Sequence, residues 1–515
     1  MQAGRGFGIM YEFSTFTREF AVHMTRRSFL ELAAMFAAGR AFPAPPGVFS
    51  GGKPKLVFAA CSDIHIVHPK AVRNKGTQVF EHALAWYAKH GVDAVVVAGD
   101  LSDGGIVDEL EMIGDAWRKI FPGDTAPDGR HVEKVFVTGN HDFEAWKYSG
   151  ASGRMVYKSD EEIERRKLHT RYAESWQSAF DEKYEPIYLK DVRGYKFVGS
   201  HWSDGRGSQW GKRLKALVAE RGGDLKGEKP VFYIQHPHPK GTVFNVSKTV
   251  CDDGVTTEIL EKFPNAVAMS GHSHWSITDE RSIWQGGFTS INLGCLRRAG
   301  FCRTKNAPAG YENWRTPGTR GKGKSEAAVA VNGMKAMPPY PAANSSHHGM
   351  LFKVYDDRIV IERREFRDDT PVADDWVVPL PVATSRPFEY KTREAKSLAP
   401  QFAQGAQLSV ERVEAKNRAG KTVAAVKLSF PAANAAKGAR PFDYTIEIAG
   451  KDGKNIFRSV LAQGVELGVG SAEAKGPSEC TLALETLPAG PLTFKVFPGE
   501  CFGMLGDPIT AKFEC

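Results

Sequence analysis

Two stretches decide the fold: Asp93-Ala94-Val95-Val96-Val97-Ala98-Gly99-Asp100, and Val132-Glu133-Lys134-Val135-Phe136-Val137-Thr138-Gly139-Asn140-His141-Asp142. Each is an apolar run that stops at a glycine and a polar cluster. A run of valine and alanine without polar alternation suits a strand buried on both faces, the habit of parallel sheets. Working outward, Lys55–Cys61 is a run of the same kind and ends in Ser62-Asp63. Gly76–His90 and Val107–Phe121 read as helices between these strands. Tyr195–Ser200, Val231–Gln235 and Ala266–Ser270 are three further strands with polar ends, and Phe288–Leu293, Met350–Tyr355 and Arg358–Arg364 read as closing strands.

Five polar clusters therefore stand just after strands: Asp63-Ile64-His65, Gly99-Asp100, Gly139-Asn140-His141-Asp142, His236, and Gly271-His272-Ser273-His274. In an open α/β sheet, groups at the carboxyl ends of strands converge on one crevice. Gly99, Gly139 and Gly271 lie where the chain must turn sharply, and glycine tolerates positive φ and close backbone approach. Asp63-x-His65, like His272-x-His274, is expected to put alternate side chains on one side of an extended chain end. Carboxylate, imidazole and amide donors together suit Fe, Mn or Zn, and calcium less well.

The ordered set Asp-x-His, Gly-Asp, Gly-Asn-His-Asp, His and Gly-His-x-His resembles the calcineurin-like metallophosphoesterase superfamily, over roughly residues 55–366. The resemblance implies an α/β fold, a four-layer α/β/β/α sandwich. It implies two divalent or trivalent metal ions (Fe, Mn or Zn) bridged by Asp100. Asp63, His65, Asp100 and His274 would hold the first, and Asp100, Asn140, His236 and His272 the second. Metals about 3.5–4 Å apart clamp attacking and leaving oxygens in line, and a metal-bound hydroxide is the implied nucleophile. His141 is the family's non-ligand catalytic histidine, placed to donate to the leaving oxygen or to stabilise the transition state. Asp142 is expected to orient His141 by a hydrogen bond. Purple acid phosphatases carry a tyrosine ligand three residues after the bridging aspartate. Asp103 stands there, so a purple iron–tyrosinate site is not expected. The large C-terminal domain typical of 5′-nucleotidases is not matched either.

Other residues carry two readings each. In His236-Pro237-His238-Pro239 the ligand is expected directly after the strand, and His238 either contacts substrate or is exposed. His68 and His201 are expected behind the site or on the surface. Trp202 and Trp275 either stack on an aromatic leaving group or pack internally. The loop 297–324 holds eight basic residues against Glu312 alone. Arg297 and Arg298 at its start are candidates for binding an anionic phosphoester, because the arginine fork suits phosphate oxygens. The alternative is a solvated surface loop.

At about 150 residues per domain, the 515 residues allow two to four domains. With 42% hydrophobic and 25% charged residues the chain is an ordinary globular one, and wholesale disorder is excluded. A charge of +8 does not by itself indicate nucleic acid. Seven cysteines exclude a disulfide-built scaffold, although Cys295 with Cys302, or a pair among Cys480, Cys501 and Cys515, could bridge. No stretch reaches the ~20 apolar residues of a spanning helix. Thr25-Arg26-Arg27-Ser28-Phe29-Leu30, followed by a mildly apolar run and Pro43, Pro45 and Pro46, resembles a bacterial twin-arginine export signal. Its alternative is an amphipathic helix with two adjacent arginines. The expected domains are 1–50, an export signal and disordered leader; 51–366, the catalytic domain, with a helical insertion at 143–190 and a basic loop at 296–347; 367–404, a linker; and 405–515. Seven short alternating segments in that last region predict an all-β sandwich of the immunoglobulin or fibronectin type. The expected protein is an exported, periplasmic phosphoesterase acting on a small-molecule or envelope-derived phosphomonoester or phosphodiester. The rival is a non-catalytic envelope- or glycan-binding protein on the same fold.

Overall fold

In the computed structural model, β1 (Leu56–Cys61), β2 (Ala94–Ala98) and β3 (Glu133–Val137) are parallel neighbours. The structure describes residues 52–68, 76–144, 159, 161–162, 172–202, 209–244, 251–301, 343–417, 420–433, 440–451, 453, 455–466 and 476–514. By contacts the chain divides into Met1–Gly51 and Gly52–Cys515. The export-signal reading of Thr25–Leu30 falls on the first unit and lies outside the described residues, as do Arg303–Lys324 of the basic loop, Cys302 and Cys515.

Among the described residues the helices of more than one turn are α1 (Gly76–Lys89), α2 (Val107–Ile120), α3 (Tyr172–Phe180), α4 (Gln209–Arg221), α5 (Val255–Leu260) and α6 (Tyr390–Lys396). The later strands are β4 (Ile187–Val192), β5 (Tyr195–Ser200), β6 (Val231–Ile234), β7 (Ala266–Ser270), β8 (Ile283–Gln285), β9 (Thr289–Asn292), β10 (Ala299–Phe301), β11 (Ala343–Ser346), β12 (His348–Val354), β13 (Arg358–Glu365), β14 (Thr370–Pro371) and β15 (Trp376–Pro379). One mixed sheet has the order β14-β13-β12-β1-β2-β3, with β15 also on β13. A second has the order β4-β5-β6-β7-β9-β8. In it β5, β6, β7 and β9 run parallel, and β4 and β8 are antiparallel edges.

Side-chain alternation along each strand assigns its two faces. Phe58 and Ala60 of β1 join a core shared with Phe197, Phe232, Ile234, Val267 and Met269 of the second sheet. Ala59 and Cys61 point the other way, into Phe80, Leu84 and Tyr87 of α1 and Leu110, Ile113 and Trp117 of α2. The second sheet repeats the scheme: Val198, Tyr233 and Ala268 pack with Leu214 of α4 and Leu260 of α5. Phe58 lies at the centre of the inter-sheet core. Its ring centroid is 4.5 Å from Phe352, 4.7 Å from Phe232 and 5.2 Å from Phe197. Within the stretch 143–190, α3 packs Trp176 and Phe180 into the cluster that holds α2, and β4 pairs with β5. The segment 367–404, expected as a linker, supplies β14 and β15 to the first sheet and forms α6.

The C-terminal region is strand-rich. β16 (Ser409–Lys416), β17 (Thr422–Phe430) and β20 (Ser478–Ala483) make one antiparallel sheet. β18 (Asp443–Gly450), β19 (Asn455–Leu461), β21 (Leu492–Gly499) and β22 (Ile509–Phe513) make another, in the order β19-β18-β21-β22. Val426, Leu428 and Phe430 of the first and Tyr444, Ile446, Ile448 and Phe494 of the second share one apolar cluster. Cys61, Cys295, Cys480 and Cys501 are free thiols, so Cys480 and Cys501 do not pair with each other. Among the described residues no helix is long and apolar enough to cross a membrane.

Phe58→Ala should cost about 3–5 kcal/mol, because rings from both sheets cannot collapse into the space it leaves; denaturant unfolding measures this. Glu280 gives a pH prediction. Burial alone would raise its carboxyl, but the charges of Arg363, Arg440 and Arg393 bring it down to about 2. A carboxyl depressed on folding stabilises above its unfolded value, near 4.3, and loses that contribution as pH falls toward the folded value. Thermal unfolding should therefore show the wild type losing its advantage over Glu280→Gln between about pH 4.3 and 2; a constant difference across that range contradicts the ion-pair account.

Candidate metal centre

The polar clusters meet at the carboxyl ends of the parallel strands, where hydrogen bonds tie one sheet to the other. His236 Nδ1, after β6, donates to Ala98 O of β2 at 2.7 Å. His272 N, after β7, donates to Asp63 Oδ2, after β1, at 3.0 Å. Trp202 N, after β5, donates to Thr138 O, after β3, at 3.1 Å.

The backbone at this rim is strained rather than extended. Asp63, His65, Asp100, His272 and His274 have φ of 55°, 48°, 51°, 68° and 52°. They are five of the nine non-glycine residues with positive φ among those described, so the strain concentrates here. Each left-handed residue costs about 1–3 kcal/mol. The Asp-x-His and His-x-His pairs thus reach one side by a repeated left-handed kink, which corrects the extended-chain expectation. Glycine is required by close approach. A Cβ on Gly139 would strike the carboxylate of Asp100, and one on Gly271 would strike Ser62 Oγ and Asp63 Oδ2.

Donor atoms of Asp63, His65, Asp100 and His274 lie within 4.8 Å of one another, and so do those of Asp100, His236 and His272. Asp100 belongs to both groups. Asn140 adjoins the second through the turn it shares with His141, whose N–H donates to Asp100 Oδ1 at 2.8 Å. The donor set fits metal ions. Asp63 Oδ1, Asn140 Oδ1 and His236 Nε2 are buried without a hydrogen-bond partner. Instead they face other site atoms at short range: His274 Nε2 is 3.0 Å from Asp63 Oδ1, and His236 Nε2 is 3.2 Å from Asp100 Oδ2. His65 Nε2 and His274 Nε2 lie 3.0 Å apart. Since Ala98 O and the Asp103 carboxylate only accept, Nδ1 of His236 and His65 must donate, and each Nε2 is turned inward. Asn140 gives its Nδ2 to Glu144, which leaves Oδ1 for the site.

The electrostatics point the same way. Burial would raise the Asp63 and Asp100 carboxyls, yet facing histidines, His274 for Asp63 and His236 for Asp100, hold both well below the usual range. Burial would lower His236 and His274, yet Asp100 raises the first to about 9, and the neighbouring Cys295 sulfur and Asp63 carboxylate raise the second. These buried carboxylates demand positive charge.

His141 has 21% of its side chain exposed, and its Nδ1 meets Asp103 O at 3.2 Å and Asp103 Oδ1 at 3.4 Å. Asp142 does something other than orient it. The Asp142 carboxylate accepts from Ser102 N and Oγ, both at 2.8 Å, from Gly139 N at 2.7 Å and from Leu101 N at 3.3 Å. It joins the turns after β2 and β3, and burial pushes it up to about 6. The orienting carboxylate is Asp103, whose Oδ1 also receives His65 Nδ1 at 3.1 Å. Although burial opposes it, the bonds from His141 and His65 hold Asp103 far below the usual carboxylate range. The sequence signal for Asp103 is its place three residues after Asp100, where a purple acid phosphatase has its tyrosine.

The substrate-contact candidates separate. Arg297 turns back into the site's frame: Nη1 donates to His65 O at 2.9 Å and lies 3.4 Å from Asp103 Oδ1. Arg298 is exposed. His238 is fully buried, so it is neither an exposed side chain nor a surface contact; Nδ1 meets Ser270 Oγ at 2.7 Å, and burial pushes the ring down to about 3. Trp275 is buried with Nε1 on Asp279 at 2.8 Å, which is packing. The Trp202 ring stands 5.9 Å from His236 and 5.7 Å from His272. His201 is buried among Trp176, Tyr184 and Tyr188, and His68 N bonds Glu109. Cys295, missed as a site residue, offers its sulfur within 4.8 Å of ring nitrogens of His65 and His274.

Residues 56–276 match the calcineurin-like phosphoesterase family. This phosphoesterase match spans β1 through β7 and carries the carboxylate, imidazole and amide donors of both groups, but not Cys295. No curated protein matches the chain. Among solved structures, a dimetal phosphatase from Danio rerio is 12% identical, with 64% of this chain and 99% of that chain covered and a TM-score of 0.34. Purple acid phosphatase PPD1 from yellow lupin seeds is 12% identical, with 64% and 54% covered and a TM-score of 0.33. A 5′-nucleotidase precursor from Thermus thermophilus is 11% identical, with 89% and 88% covered and a TM-score of 0.22.

Asp103→Asn should lower metal affinity or turnover about 10- to 100-fold, because it weakens the acceptor that fixes His65 and His141. Asp142→Ala should instead lower Tm, because it strips backbone amides of their acceptor. Metal titration, kcat and thermal unfolding separate the two; the reverse pattern contradicts the assignment.

Proposed function

We propose that this chain is a dinuclear-metal phosphoesterase that hydrolyses a phosphomonoester or phosphodiester. The observation that carries the reading is the pair of donor groups sharing Asp100, with buried lone pairs turned into a common space. Asp63, His65, Asp100 and His274 would hold one cation, and Asp100, Asn140, His236 and His272 the other. Nitrogen and oxygen donors in this mixture suit Fe, Mn or Zn. When bound, two such ions supply Lewis acidity toward a phosphoryl oxygen and lower the pKa of water toward neutrality.

The chain's own residues do the rest. Asp103 holds His141 through Nδ1, and the partly exposed ring is assigned to carry the proton for the leaving oxygen. Asp142 fixes the two turns that present Asp100 and Asn140. Exposed Arg298, whose N–H bonds the Cys295 sulfur, is assigned to attract an anionic ester, whereas Arg297 is committed to His65 and Asp103. The reading includes a four-layer α/β/β/α catalytic sandwich, an immunoglobulin- or fibronectin-like C-terminal domain at 405–515, and export to the periplasm through the twin-arginine segment. The face-to-face sheets, the seven C-terminal strands and Arg26-Arg27 support these three points respectively.

The test pairs elemental analysis with turnover of p-nitrophenyl phosphate and its bis-ester in the presence of Mn²⁺. The wild type should bind metal and release p-nitrophenol from at least one ester. His141→Gln should keep its metal while kcat falls about 10²–10⁴-fold. A metal-loaded protein inert toward both esters would favour the non-catalytic rival.

A further inference from the structure

A cavity of about 290 Å³ lies between α6, the turn at Glu280, and the segments around Arg440 and Glu500. It shares no residue with the metal-donor groups. Its wall carries Arg393, Lys396 and Arg440 against Glu280 and Glu500. Three guanidiniums face the carboxylate of Glu280: Arg363, which stands behind the wall, at 2.9 Å, Arg393 at 3.3 Å and Arg440 at 3.9 Å.

Each arginine has a different degree of satisfaction. Arg363, fully buried, is also bonded to the carbonyls of Ile277 and Asp374. Arg393 donates Nη1 to Glu280 O and lies over the rings of Phe502 at 4.8 Å and Phe388 at 5.4 Å, which fix its plane. Arg440 gives Nη2 to Thr278 O, but its Nη1 is buried and has no hydrogen-bond partner. The other carboxylate on the wall, Glu500, is turned into its own loop, where it accepts from Phe502 N at 2.6 Å and Met504 N at 2.8 Å. Lys396 adds a further positive charge to the lining. A buried guanidinium N–H without an acceptor is costly. An oxyanion within reach of Arg440 would remove that cost, since arginine forks bind such oxygens in pairs.

We propose that this cavity is a phosphoryl-binding site, separate from the metal centre, in which Arg440, Arg393 and Lys396 clasp one tetrahedral anion. Arg393 and Lys396 reach it from one helix and Arg440 from the C-terminal region, so the bound anion would cross-link the two. The anion is either free phosphate or a phosphoryl group on a small carrier.

Calorimetric titration of the full chain carrying Asp100→Asn tests this. That background disables the proposed metal bridge, so the outcome does not depend on the phosphoesterase reading. Inorganic phosphate should bind, and Arg440→Gln should weaken it about 10- to 100-fold, the value of a charged hydrogen bond. Lys396→Gln, at the outer wall, should weaken it about threefold or more and guards against misfolding of the Arg440 variant. Binding of methyl phosphate with similar affinity would assign the site to esterified phosphoryl groups, and exclusion of it would assign the site to free phosphate. Absence of phosphate binding, or binding unchanged in both variants, would overturn the proposal.

Discussion

Everything in this molecule depends on a strained rim being held shut. Five carboxylate and imidazole residues occupy left-handed backbone at the ends of parallel strands, and no isolated loop would keep them there. What holds them is the packing of two sheets through Phe58 and its neighbours, together with hydrogen bonds that cross between the sheets at the rim. The stability of the core is thus converted into position. Buried donors are aimed at each other, an arrangement that a cationic occupant makes favourable.

The same constraint explains the supporting residues. Asp142 and Asp103 are both buried acids beside the bridging position, yet they do opposite work. Asp142 spends its oxygens on the amides of two turns, so it acts on the frame. Asp103 spends its oxygens on two imidazoles, so it acts on the chemistry. Arg297 closes this network from behind by bridging Asp103 and the His65 carbonyl, which is why it is not available to a substrate.

Much of this was legible in the sequence. The parallel strands announced themselves as unbroken apolar runs, and Tyr195–Ser200 and Ala266–Ser270 have the same bounds in the structure. The grouping of distant polar blocks followed from strand polarity alone. What escaped had physical reasons. β4 carries Lys190 and Asp191 and is a half-buried edge, so it lacks an apolar signature. β8, β14 and β15 have three, two and four residues, too few to show a period. The role given to Asp142 came from its adjacency to His141, but the short helical turn at His141–Phe143 sends neighbouring side chains in different directions. The burial of His238 depends on Ser270 from β7, a contact no local pattern reveals.

The central claim is that the two donor groups form one centre that shares Asp100. Anomalous diffraction from crystals of the Mn- or Zn-loaded protein tests it most directly. The account predicts two peaks about 3.5–4 Å apart, with a carboxylate oxygen of Asp100 touching both. A single ion, or ions bound away from Asp63, His236 and His274, would contradict it.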